Sequence, residues 1–386
     1  MYRPELNSSF LKDFLRKLDY LQLVTAGILL TVGLVFIRSI GGQIGSETAL
    51  NYFPQQLKWI GVGLLVYFGF AMIDYRSIQA RIAALVLYGG CIALLVAVLV
   101  WGKEINNASR WLVFGNFRLQ PSEPAKVAII AVLAILFGSA GWKIRRFQTF
   151  LVTLLAVGVP FILIVVEPDL GSAMMLVPIY FAMIFVAGLK WRYIVVVTVA
   201  GLIALGVGLW DFTREKPVLL RSYQRDRIRV FLDPKYDIQN RGHQPYQARL
   251  GVGSGGLYGK GIGNGTQNAL GFLPQMAAHN DFIFSVIAEE TGFFGVFGLL
   301  LLYVLLFYSM LRTAFFAPPY GRLLATGVAV MLFFHVFINI GMSMGVTPVS
   351  GLSLPLVSYG GSFIVITMAA LGLMQSIRLH GGNYDA

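Results

Sequence analysis

The chain has 386 residues, 57% of them hydrophobic and 12% charged, and a mean hydropathy of +0.72. That balance excludes an ordinary soluble domain and fits a helical protein that crosses a membrane many times. The net charge of +12 comes from Lys and Arg dispersed between apolar runs, without the basic and aromatic stripe of a groove binder, so it bears on membrane orientation and no nucleic-acid partner is expected. Cys91 stands alone inside an apolar run, and His243, His279, His335 and His380 are far apart, so no disulfide framework or zinc site is available.

The N-terminal tail, residues 1–19, is polar and basic (Arg3, Lys12, Arg16, Lys17), and the run 20–37 after it is longer than a signal-peptide core and lacks a small-residue cleavage site, so it is expected to stay as the first span. Nine further runs of crossing length follow at about 54–73, 82–101, 123–138, 147–167, 170–188, 191–210, 282–311, 321–345 and 353–377. The expected fold is an all-α integral membrane protein of about ten transmembrane helices, one polytopic membrane domain over 1–386. Arg76/Arg81, Lys143/Arg145/Arg146, Lys190/Arg192, Arg312/Arg322 and Arg378 lie on the same side as the basic tail, whereas the opposite short loops hold Arg38, Lys103, Arg110 and Arg118. The positive-inside rule puts both termini in the cytoplasm and residues 211–281 in one large extracytoplasmic loop between spans seven and eight.

That loop is long enough to be functional. Its first half, from Arg221, is cationic and aromatic, with Arg221, Arg225 and Arg229 on one helical face; it reads either as a headgroup-contacting amphipathic helix or as a surface for a phosphorylated ligand. Its second half, GVGSGGLYGKGIGNG (251–265), is not a Walker A loop, because Ser254 and Gly261 stand where Gly and Ser/Thr are needed around Lys260. A close-approach backbone and a plain loop both remain open for it.

Charged groups against spans are costly, so their positions are informative. Glu123 in LQPSEPAK complements the helix dipole after Ser122 and Pro124, which accounts for it structurally as well as function would. Lys126 opposes that dipole and needs a partner or a ligand. Asp169, with Glu167, sits in the turn EPDLGS, ordinary turn chemistry or a site; Arg110 could contact headgroups; Tyr359, beside Ser358 in LPLVSYGGS, could be an interfacial aromatic. Asp281 stands where a polar loop gives way to the eighth apolar segment, with Glu289 and Glu290 about two turns on. Taken as one helix, this places the glutamates at headgroup level and Asp281 roughly 12 Å beyond them.

Together Arg110, Glu123, Lys126, Asp169, Asp281, Glu289, Glu290 and the turn at Ser358 fall on the extracytoplasmic side. An alternating-access transporter should carry polar groups at the midplane, often on broken helices in paired repeats. An enzyme acting on a lipid-linked substrate needs an acid, several cations and a mobile loop at one interface, which is the arrangement found here.

The motifs QPSEPAK (120–126), EPDLGS (167–172), GSGGLYGKGIGNGTQ (253–267), DFIFSVIAEETG (281–292), NIGM (339–342) and PLVSYGGS (355–362) resemble, in order and spacing, the SEDS family of shape, elongation, division and sporulation proteins. The glycine-rich and C-terminal motifs look closer to its rod-shape branch than to its division branch. The resemblance implies a peptidoglycan glycosyltransferase that polymerises lipid II at the outer face of the bacterial inner membrane during cell elongation. It implies a class B penicillin-binding transpeptidase and the elongation machinery as partners, a lipid-linked glycan strand as the growing product, and a magnesium- or manganese-type cation. Asp281 takes the position of the family's catalytic aspartate, and Arg110, Glu123, Lys126 and Asp169 those of its supporting residues. Lys260, Glu289, Glu290 and Ser358 complete the candidate set. The chain departs from the family in Gln275 and in the longer MAAHN before Asp281.

The chemistry is consistent with these residue types. An α-linked glycosyl pyrophosphate that becomes a β-linked polymer needs a base for the acceptor hydroxyl and positive charge for the leaving group. The other readings are a division-type paralogue with the same chemistry, a flippase or transporter of the lipid-linked precursor, and a scaffold for a transpeptidase.

Overall fold

A computed structural model of the chain describes residues 16–45, 47–105, 108–114, 117–140, 146–214, 222–233 and 235–381. Arg3, Lys12, Lys143, Arg145 and Arg221, on which the orientation and loop readings partly rest, lie outside them. The ten expected spans coincide with ten long helices: α1 (Tyr20–Ile44), α2 (Tyr52–Met72), α3 (Ile78–Trp101), α4 (Ser122–Ala140), α5 (Phe147–Val166), α6 (Leu170–Ala187), α7 (Trp191–Thr213), and after the long loop three more. The loop itself folds into α8 (Ser222–Leu232) and α9 (His243–Ser254) plus two short turns of helix, and is followed by α10 (Ile283–Phe316), α11 (Pro319–Met344) and α12 (Gly361–His380).

The chain is a multi-pass membrane protein: among the described residues, eight of these helices are long and apolar enough to cross a bilayer by themselves. The other two, α2 and α4, carry Gln55, Gln56 and Lys58 or Glu123 and Lys126 near their starts; α2 packs one face against α12 and leaves the other exposed, whereas α4 is packed between α3 and α11. Helix ends follow local chemistry. The Asp19 carboxylate accepts from Gln22 N and caps α1, Ser77 caps α3, Asp169 caps α6, and Gly188 and Gly345 end α6 and α11 in the left-handed region.

The core is centred on α11, which packs against α10, α6 and α4. In contrast, α7 rests on α6 and buries Asp211 alone of its residues. A feature not anticipated from sequence is a three-stranded antiparallel sheet between α3 and α4, β1 (Lys103–Ile105), β2 (Ala108–Phe114) and β3 (Phe117–Leu119), in the order β1-β2-β3. It carries Arg110. The last expected span starts too early: residues 353–360 are non-helical, with a turn at 355–357 in which Leu356 has φ 67°, and α12 begins at Gly361.

The eighth span is also not one straight helix. Gly292 has φ 65° and ψ −161°, a conformation nearly confined to glycine, so residues 283–291 do not continue the axis of the apolar run after them, and a membrane height read from that run does not carry across the break to Glu289, Glu290 or Asp281. Before the break, Ile283 to Glu290 are all buried, inside the protein instead of along a lipid-facing surface.

The glycine-rich loop fills the break. Lys260 N and Gly261 N donate to the carbonyls of Glu289 (3.0 Å) and Glu290 (2.9 Å), while Phe293 N and Phe294 N donate to Gly256 O (2.9 Å) and Leu257 O (3.2 Å). The loop thereby replaces hydrogen bonds that an interrupted helix loses on both sides. A β-carbon on Gly259, with φ 76°, would run into the Glu290–Thr291 backbone, and one on Gly292 into Gly259 N and Leu257, so neither position admits a side chain.

Candidate active site

Asp281 lies just before Phe282, the residue that caps α10, and its backbone is held from two sides. Asn339 of α11 donates through Nδ2 to Asp281 O (2.9 Å) and Leu352 O (2.7 Å). Ser358 Oγ donates to Asn280 O (2.6 Å) and accepts from Leu354 N (2.8 Å), and Tyr359 N donates to His279 O (3.0 Å). Ser358 is thus a buried brace for the segment that presents Asp281. A β-carbon at Gly351 would stand 3.7 Å from Asp281 Oδ2 and 3.9 Å from Arg110 Nη2, so the carboxylate and the guanidinium face the same small space.

Asp169 is the anchored acid of the pair. It accepts from Gln120 Nε2 (2.5 Å), Ser122 Oγ (3.1 Å), Ser172 N (3.3 Å) and Arg110 Nη1 (3.5 Å). Burial pushes its carboxyl upward, but Arg110, the Ser172 contacts and Lys126 outweigh burial and hold it below the ordinary range. Asp281 shifts the other way. Burial raises it, Arg110 and Arg227 oppose the rise, and Asp169 adds to it; among the described residues its carboxylate is in no ion pair. Two carboxylates with separated affinities for the proton suit a fixed anion and a titrating base. Glu167 nearby is buried, and burial with the Asp169 charge pushes its carboxyl up to about 8.

Lys126 is fully buried, and its Nζ donates to Glu123 Oε1 (2.8 Å) and to His335 Nε2 (2.8 Å). The ammonium that opposes the dipole of α4 is therefore offset by a carboxylate one turn earlier. With Lys126 donating, His335 accepts at Nε2. Lys126 also acts on the Asp169 charge, which joins this pair to the acidic cluster.

Glu289, Glu290 and Lys260 form a separate cluster. Glu289 Oε1 accepts from Lys260 Nζ (2.7 Å), Thr266 N (2.8 Å) and Thr266 Oγ1 (2.8 Å), with Gln267 N at 3.3 Å. Glu290 accepts from Gln43 Nε2 (2.6 Å), Ser39 Oγ (2.8 Å) and Gly263 N (3.1 Å). The two glutamates clasp the glycine-rich loop and tie it to α1.

The family model for FtsW/RodA/SpoVE cell cycle proteins matches residues 19–382. The chain belongs to this SEDS family. Peptidoglycan glycosyltransferase MrdB of Escherichia coli K12 is 38% identical over 94% of each chain, and peptidoglycan glycosyltransferase RodA of Treponema pallidum is 31% identical over 93% of this chain and 97% of its own. The crystal structure of the rod shape determining protein RodA of Thermus thermophilus superposes with a TM-score of 0.68 at 32% identity, covering 94% of this chain and 96% of that one. A chain from a structure on the coordination of polymerization and crosslinking by a peptidoglycan synthase complex reaches 0.77 at 32% identity, covering 94% and 97%.

In this SEDS chain the structure gathers Arg110, Asp169 and Asp281, with Glu123 and Lys126 adjoining them. It places Ser358 behind the Asp281 backbone and sets Lys260, Glu289 and Glu290 together at the helix break. Three residues were not singled out from sequence. Gln120 and Asn339 stand inside quoted motifs, QPSEPAK and NIGM, where attention to buried polar side chains finds them. Arg227 is off the Arg225/Arg229 stripe, and only the fold turns it toward the cluster.

Among the described residues no three His, Cys, Asp or Glu side chains come together as a metal site. Glu289 and Glu290 are occupied by N–H, O–H and ammonium donors, and Asp169 and Asp281 share their space with two guanidiniums. This donor set does not fit a resident divalent cation.

Proposed function

We propose that this chain polymerises lipid II into glycan strands at the outer face of the bacterial inner membrane during elongation, with Asp281 as general base. It is a peptidoglycan glycosyltransferase of the rod-shape type, in keeping with its relatives. The observation that carries the assignment of Asp281 is its pairing with Asp169: two acids in one cluster, one held ionised by Arg110, Ser172 and Lys126, the other raised by burial and in no ion pair among the described residues.

In the step itself, the acceptor hydroxyl oxygen attacks the anomeric carbon of the donor sugar from the face opposite the pyrophosphate. The new C–O bond forms as the carbon–pyrophosphate bond breaks, its electron pair leaves with the pyrophosphate, and the hydroxyl proton passes to Asp281. A base is effective when its proton affinity approaches the working pH, and burial moves Asp281 in that direction. Asp169 stays anionic and fixes the Arg110 guanidinium beside the reacting centre. No step here depends on a divalent cation.

The basic short loops support cytoplasmic termini and an extracytoplasmic site. The chain's likeness to a synthase-complex subunit supports a class B penicillin-binding transpeptidase and the elongation machinery as partners. The test is purified protein with labelled lipid II: polymer without a second polymerase supports the reading, whereas lipid movement without polymer would replace it with the flippase.

A further inference from the structure

Within this glycosyltransferase reading, we propose that Arg227, carried on α8 of the long loop, is the cation that receives the pyrophosphate of the glycosyl donor. Two guanidiniums reach the cluster, and they are not equivalent. Arg110 is bound to Asp169 at 3.5 Å, so its charge is committed to holding that acid. Arg227 is half-buried and lies within electrostatic reach of Arg110, Asp281 and Asp169, yet among the described residues it is in no ion pair. Its Nη1 lies 3.5 Å from Ser350 O, and its guanidinium carbon is 5.7 Å from the Tyr223 ring centroid.

A partly desolvated guanidinium without a carboxylate is costly, and an anionic ligand offsets that cost. The neighbouring arginines of α8 differ in where they reach: Arg225 Nη2 donates to Arg214 O at 2.8 Å and Arg229 Nη1 to Tyr236 OH at 3.3 Å, contacts local to the loop, whereas Arg227 reaches Ser350, next to the Gly351 that borders Asp281 and Arg110. Asp281 cannot serve as the lasting partner of Arg227, because it must take up a proton during the step. The leaving pyrophosphate gains negative charge as the glycosidic carbon departs, and a planar guanidinium can meet two of its oxygens at once. Because Arg227 sits on the loop, the donor site is complete only when α8 is seated against Ser350.

The experiment uses the full-length protein in detergent, polymerising labelled lipid II in the presence of farnesyl pyrophosphate, farnesyl monophosphate or farnesol as competitors. Wild type should be inhibited by the pyrophosphate well below the concentrations at which the other two act. Arg227→Gln should weaken pyrophosphate inhibition at least about tenfold and raise the lipid II KM, with Arg227→Lys intermediate. If Arg227→Gln does not fold, a measurable loss of pyrophosphate inhibition in Arg227→Lys at unchanged Tm supports the inference equally. Unchanged pyrophosphate inhibition in a folded Arg227 variant overturns the inference, even if its pH profile moves, since that result would confine Arg227 to tuning Asp281. Absence of polymer from wild type would instead sink the glycosyltransferase reading itself.

Discussion

At the scale of single residues, the proposed site divides labour between two aspartates 112 positions apart in number, both facing Arg110 in space. Asp281→Asn keeps the size and most hydrogen bonding of the side chain and removes the base, so polymerisation should fall by on the order of 10²–10⁴ while lipid II still binds. Comparable turnover by wild type and Asp281→Asn at equal folded protein would end the assignment. The pH profile gives a second check. The proposed base works deprotonated and burial raises its proton affinity, so kcat/KM should decline on acidification through a pKa above the ordinary aspartate value of about 3.9. An acid limb at or below that value would point to another base. For Lys126→Met, the Glu123 and His335 contacts at 2.8 Å disappear inside the protein and Asp169 loses a supporting charge, so activity should be strongly reduced in protein that still inserts. Normal turnover would reduce Lys126 to a structural ion.

At the scale of elements, the break in α10 is where sequence reasoning and structure part most clearly. The length and apolarity of residues 282–311 were legible, because twenty or so apolar residues have one economical conformation in a bilayer. The break was not, since Gly292 is one glycine among 43 and what marks it is a partner segment thirty-odd residues earlier in the chain. Glu289 and Glu290 were legible as candidate residues, but the donors that saturate them come from Ser39, Gln43, Gly263 and Thr266, which no spacing rule connects. Asp281, Asp169 and Lys126 stood out because charge is rare beside spans, whereas Arg227 was hidden among equally charged neighbours. Gly292→Ala puts a β-carbon into Gly259 at a φ of 65°, and should lower Tm by an amount corresponding to roughly 2–4 kcal/mol and expose the 251–265 loop to proteases. Thermal melting and limited proteolysis read this directly, and an unchanged melt would mean the loop does not complete the helix.

At the scale of the whole molecule, the ten helices, the long loop and the polar cluster imply a definite sidedness. A reporter fused after Arg378 should behave as cytoplasmic and one inserted near Gly242 as extracytoplasmic; both on one side would displace the site from the outer face. The clasp between Glu290 and Ser39 also sets a timetable for biosynthesis. The two partners are separated by 251 residues, so at about 5–20 residues per second a ribosome finishes the first helix roughly 10–50 s before it delivers the acceptor for Ser39 and Gln43. During that interval the nascent first helix presents a hydroxyl and a carboxamide with no final mate, a natural handle for an insertase that shelters polar faces until the eighth span arrives.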